Sequence, residues 1–123
     1  MHILVADDNP AFMDLLKEYL EEKGHSVEIA SDGKALLEKM KITTPDVIIS
    51  DLEMPEMGGG MVQTMLNMGG KTAVIPLIII TGQPKQRVER EINFMTVAAI
   101  LTKPIKLEEL DRILAKLEQQ DKI

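Results

Sequence analysis

Short apolar runs alternate along this chain with longer stretches in which apolar residues return every three or four positions. Ile3-Leu4-Val5, Ile75 to Ile80 and Val47-Ile48-Ile49 are nearly unbroken apolar runs, the pattern of strands covered on both faces. Ser26 to Ala30 alternates as a short second strand, and Ala98 to Leu101 makes a weak fifth. Between them lie helical stretches. Asn9 offers an N-cap and Pro10 suits the first helical position, so a helix is expected from there to about Lys23, stopped by Gly24, with Phe12, Leu15, Leu16, Tyr19 and Leu20 as its buried stripe. Asp32-Gly33 turns the chain into a second helix carrying Ala35, Leu36, Leu37 and Met40, which Thr44-Pro45 closes. Met61, Met65 and Met68, with Val62 and Leu66 beside them, predict a third helix between the glycines 58–60 and Gly69-Gly70. Pro84 opens a fourth over Lys85 to Phe94, and Leu107 to Leu117 is an amphipathic fifth.

Five strands thus alternate with five helices, each crossover about the length a βαβ unit requires. The expected fold class is α/β, a doubly wound parallel sheet with helices on both faces.

The 123 residues suffice for one domain over 1–123, burying roughly two thirds of the surface that the unfolded chain exposes. The absence of cysteine excludes disulfides and thiolate metal sites, and accords with a cytoplasmic location. The start Met1-His2-Ile3-Leu4-Val5-Ala6-Asp7 turns acidic too soon for a signal peptide, and no apolar run reaches the roughly twenty residues of a membrane span. A formal charge of -6 argues against direct binding of nucleic acid or insertion at an anionic membrane.

The chemistry collects at strand ends. Parallel strands present their carboxyl ends along one sheet edge, where ligands of open α/β sheets bind. Asp7, Asp8, Asp51, Thr81 and Lys103 all follow strands and are expected to converge there. Singly, each has an ordinary explanation: an Asp caps a loop, a Thr fills a strand, a Lys is solvated. Jointly they make a site. Clustered carboxylates repel unless a cation relieves them, and a donor set of oxygen alone suits Mg²⁺ better than Zn²⁺ or the more demanding Ca²⁺. His2 is too early in the first strand to take part. Lys103 supplies a point charge, Thr81 a hydroxyl and Gly82 a backbone N–H, which together would hold a phosphoryl group. A carboxylate nucleophile, a metal and a fixed ammonium are the parts of an in-line phosphoryl transfer to Asp51.

The acidic pair Asp7-Asp8, the stretch Asp51 to Gly59 read as Asp-x-x-Met-Pro-x-Met-x-Gly, Thr81, and Lys103-Pro104 give a sequence that resembles the receiver domain of two-component response regulators over its whole length, and is similar in size to the single-domain chemotaxis regulator. The resemblance implies a flavodoxin-like sheet of order 2-1-3-4-5. It also implies phosphorylation of Asp51 by a sensor histidine kinase or phosphotransfer protein, with Mg²⁺ held by Asp8, Asp51 and the backbone carbonyl of Glu53, and with Asp7 acting through water. Lys103 and Thr81 would contact the phosphoryl group, and the Lys103-Pro104 peptide would be cis. The protein would be a regulator with an unknown downstream protein target, catalysing only its own phosphorylation and dephosphorylation.

Three positions depart from or qualify the pattern. Ile100 stands where the family usually has an aromatic residue, Glu53 occupies a place that tunes phosphate lifetime, and Gly58 replaces a common Asp. The stiff Ile100 cannot act as an aromatic switch, so a signal would pass through the loop from Thr81 to Pro84. Two other functions compete. A phosphatase of the haloacid dehalogenase type also uses an Asp nucleophile with Mg²⁺, but its Asp-x-Asp follows the first strand. A receiver-shaped interaction module without phosphorylation would not need the acids, Thr81 and Lys103 together.

Overall fold

The computed structural model describes residues 1–51, 75–84, 86, 88 and 97–121. The strands are β1 (His2–Ala6), β2 (Ser26–Ala30), β3 (Val47–Asp51), β4 (Leu77–Thr81) and β5 (Val97–Thr102). They form one sheet of order β2-β1-β3-β4-β5, all neighbours parallel. The described helices are α1 (Pro10–Glu22), α2 (Gly33–Ile42) and α3 (Leu107–Asp121), the last being the closing helix of the sequence pattern. The expected methionine-rich helix lies outside the described residues. So does most of the one expected over Lys85 to Phe94, of which Gln86 and Val88 are described as helical.

Alternation along the strands divides the core between the two sheet faces. Ile3, Val5, Val47, Ile49, Ile78 and Ile80 pack with Leu16 and Leu20 of α1 and Leu110 and Leu114 of α3. Leu4, Ala6, Ile48, Leu77 and Ile79 point the other way, onto Leu36 of α2 and Val88. Every residue of β3 and β4 is buried, which explains why they read as continuous apolar runs.

The chain keeps most expected boundaries and shifts some for identifiable reasons. The Asn9 side chain accepts from the Phe12 N–H at 3.1 Å, which fixes the first turn of α1, and Gly24 leaves the helix at φ +95°, in the left-handed region. The buried stripe of α1 is Met13, Leu16 and Leu20, whereas Leu15, expected inside, is 58% exposed. The helix is therefore turned toward Met13, with Phe12 and Tyr19 partly buried on the stripe's flank. β4 begins at Leu77 rather than Ile75, because Pro76 has no N–H to give the ladder and serves only as acceptor for the Ile48 N–H at 3.0 Å. β5 includes Val97 and Thr102 as well. Its register jumps from Leu77↔Val97 to Ile78↔Ala99, leaving Ala98 as an exposed extra residue at the sheet edge.

A polar clasp joins α1 to α3. The Tyr19 hydroxyl donates to the Asp111 carboxylate, and the Lys23 ammonium lies 5.4 Å from the Tyr19 ring centroid. The hydrogen bond to Asp111, then burial, then the charges of Asp111 and Glu108 push the phenol up to about 12. A raised value means that the folded state favours the protonated phenol. This contribution to stability is complete below the ordinary value of 10.0 and is lost as pH rises toward about 12. Tyr19 is the one tyrosine and the chain has no tryptophan, so ultraviolet absorbance reads it directly. We expect phenolate to appear with a midpoint near 12 in the native protein and nearer 10 in Asp111→Asn. Equal midpoints would show that the clasp does not form.

Candidate functional site

β1, β3, β4 and β5 bring their carboxyl ends together, and the polar residues there meet. Asp7 follows the last residue of β1 and is buried, 1% exposed, with its own N–H donating to the Ala30 carbonyl at 3.2 Å. Its Oδ1 accepts from the Asn9 N–H at 2.8 Å, so the turn that starts α1 is built around this carboxylate. Asp51 closes β3 and is 7% exposed, whereas Asp8 lies on the exposed side. One carboxylate oxygen from each of the three lies within 4.8 Å of the others.

Lys103 crosses to this cluster from just beyond β5. Its Nζ donates to Asp51 Oδ2 at 3.0 Å and to Asp7 Oδ2 at 3.2 Å. Its backbone N–H donates to the Thr81 carbonyl at 2.8 Å, which ties the ends of β4 and β5. The peptide from Lys103 to Pro104 is cis, as the resemblance implies. Thr81 is buried, and its Oγ1 accepts from the Gln83 N–H at 3.0 Å. That leaves the hydroxyl proton to serve an acceptor in front of the sheet. A side chain at Gly82 would meet nothing within 4 Å, so the loop in front of Thr81 is open at this point.

The charges are unequal in cost. Burial raises the Asp7 pKa, the Asn9 N–H opposes this, and the neighbouring Asp51 charge adds to the rise; the Lys103 ammonium only partly offsets the sum. For Lys103, burial works against the ammonium, but its hydrogen bonds to Asp51 and Asp7 and their charges outweigh burial and leave its pKa above the ordinary value. The Lys103 ammonium thus serves Asp7 and Asp51 together, and of these the buried Asp7 still has its charge disfavoured.

Because its folded pKa lies above the ordinary 3.8, Asp7 favours the fold in its protonated form, an effect complete below that pH and lost as pH rises through the folded value. At neutral pH the charged Asp7 therefore weakens the fold. Asp7→Asn, which keeps an oxygen for the Asn9 N–H, should stabilise the cation-free protein by about 1 kcal/mol at pH 7, a gain that shrinks as pH falls through the folded value and is gone below pH 3.8. Denaturant unfolding at the two pH values measures it, and a less stable mutant at pH 7 would contradict the assignment.

Of the residues that the sequence pattern assigns to the site, the structure brings Asp7, Asp8, Asp51 and Lys103 together and sets Thr81 beside them at the end of β4; Glu53 lies outside the described residues. Sequence reasoning missed Phe12. Its ring centroid is 5.4 Å from Lys103 Nζ, and it lines a groove of about 260 Å³ with Leu15, Lys103, Pro104, Ile105 and Leu107. The signal was its position in the first turn of a helix that starts directly after the acidic pair.

The response regulator receiver domain family matches residues 3–115. The chain belongs to that family. Receiver domains are phosphoacceptor signalling modules that interact with histidine kinases or phosphotransfer proteins. Protein PilH of Pseudomonas aeruginosa is 34% identical over 88% of this chain and 89% of its own length. The DNA-binding dual master transcriptional regulator RpaA of Synechocystis is 37% identical over 98% of this chain, but the aligned part is only 51% of RpaA. Several curated relatives are likewise about twice as long as the receiver they share with this chain. Among solved structures, the receiver domain of the sensor histidine kinase PA1611 of Pseudomonas aeruginosa, described with a magnesium ion coordinated in its active site cleft, superposes with a TM-score of 0.83. It is 26% identical and covers 94% of this chain and 95% of its own. The receiver assignment accounts for the sheet order, and among the described residues no helix is long and apolar enough to cross a membrane.

Proposed function

We propose that this receiver takes one phosphoryl group onto Asp51 from the phosphohistidine of a sensor histidine kinase or phosphotransfer protein, with Mg²⁺ as cofactor, and passes the signal to a downstream protein. The observation that carries this reading is the Lys103 ammonium held at 3.0 Å from Asp51 inside a triad of carboxylates. A cluster of three carboxylates, among them the buried Asp7 whose charge is disfavoured, suits a hard divalent cation. Asp8, Asp51 and the backbone carbonyl of Glu53 would hold it, with Asp7 acting through water. When bound, Mg²⁺ supplies positive charge to the carboxylates and to the oxygens of an incoming phosphoryl group.

In the transfer, an Asp51 oxygen forms a bond to phosphorus as the bond from phosphorus to the donor's imidazole nitrogen breaks. The electron pair stays on that nitrogen, and the proton on the ring's other nitrogen makes the departing imidazole neutral. Lys103 has three N–H donors, two directed at Asp7 and Asp51, so the third can meet a phosphoryl oxygen. The Thr81 hydroxyl, its oxygen already accepting from Gln83, donates to another. Together they stabilise charge that grows on the phosphoryl oxygens.

Incubation with a small-molecule phosphodonor, with and without Mg²⁺, tests the reading. It predicts one base-labile phosphoryl group per chain, dependent on Mg²⁺. Sustained turnover of the donor would identify a phosphatase, and no reaction would identify a module that works by shape alone.

A further inference from the structure

We propose that Phe12 is a positioning residue for the phosphoryl transfer: the face of its ring holds the Lys103 ammonium against Asp51. The inference rests on the phosphoacceptor reading of Asp51. Lys103 is fixed at its backbone by the 2.8 Å bond to the Thr81 carbonyl, but its stem is flexible and its side chain is 33% exposed. Asp7 and Asp51 draw the ammonium from the sheet side. From the α1 side its neighbour is the Phe12 ring, 5.4 Å from Nζ to centroid, within the range at which an aromatic face attracts a cation.

Phe12 is itself well anchored. Its N–H is held by the Asn9 side chain, and its ring packs partly buried against the core on the α1 face. The residues that start α1 thus fix Asp7 through the Asn9 N–H and Phe12 through the Asn9 side chain, and both meet on Lys103. An aliphatic residue at position 12 would fill the groove with Leu15 and Ile105 but offer the cation no negative face.

Stepwise fluorination of Phe12 tests this, because fluorine withdraws the ring's negative face while nearly preserving its shape. The maximal rate of Asp51 phosphorylation from a small-molecule donor should fall progressively, to about one third in the most fluorinated ring, with the half-saturating donor concentration unchanged. Phe12→Leu should match the most fluorinated form and Phe12→Tyr should retain the rate. A flat series, with Phe12→Leu equal to the native protein, overturns the proposal. Should the native protein take up no phosphoryl group, the phosphoacceptor reading alone fails, and ¹⁵N relaxation of the Lys103 ammonium decides the rest. Larger-amplitude motion in Phe12→Leu supports positioning by the ring, and unchanged motion overturns it.

Discussion

Asp51→Asn should abolish stoichiometric phosphorylation while leaving the chain folded. The substitution keeps the shape of the side chain and an oxygen able to accept from the Lys103 ammonium, now at 3.0 Å from Asp51 Oδ2. What it removes is the charged oxygen that bonds to phosphorus, and an amide is a poor nucleophile at that atom. The site also loses one of three clustered negative charges, so no large loss of stability is expected from the exchange. Labelling with a small-molecule phosphodonor, beside unfolding curves for both proteins, checks the two statements together. Undiminished labelling in a folded mutant would move the chemistry to another residue.

Lys103→Ala should do two things at once. It deletes a donor that the account assigns to the phosphoryl oxygens, which at comparable sites slows transfer by about 10²-fold. It also strips a cation hydrogen-bonded to both Asp7 and Asp51, which are 1% and 7% exposed, and so strengthens the repulsion between those two carboxylates. Lys103 itself is a third exposed, so water and salt already weaken its pairings, and the expected loss is about 1–2 kcal/mol rather than the larger cost of breaking a fully buried pair. Addition of Mg²⁺ should recover much of that stability without recovering the rate. A Lys103→Ala protein that phosphorylates at the native rate would remove Lys103 from the mechanism.

The sheet was legible because strands covered on both faces must be apolar throughout, and Val47 to Ile49 could hardly be anything else. Convergence of Asp7, Asp51, Thr81 and Lys103 was legible for a topological reason: parallel strands end on one edge. Details that depend on neighbours across the core were not. Leu15 and Met13 exchange places because helical spacing gives a stripe but not its rotation against the sheet. The extra residue Ala98 is invisible until β4 fixes the register of β5. Adjacent carboxylates look alike in sequence, yet Asp7 is buried, held by the Asn9 N–H and Lys103, while Asp8 is exposed. Phe12 passed for an ordinary core residue because its cation is 91 positions away, as 103 less 12, and only the fold joins them.

Reductive trapping locates the phosphoryl group on the chain. An acyl phosphate is reduced by borohydride to the alcohol, so a phosphorylated aspartate is recovered as homoserine and can be placed by peptide mass spectrometry. After reaction with a phosphodonor and Mg²⁺, the account predicts homoserine at position 51 and at no other aspartate, and none when Mg²⁺ is withheld. Homoserine at position 7 or 8, or an unmodified position 51 in protein that has taken up phosphate, would contradict it.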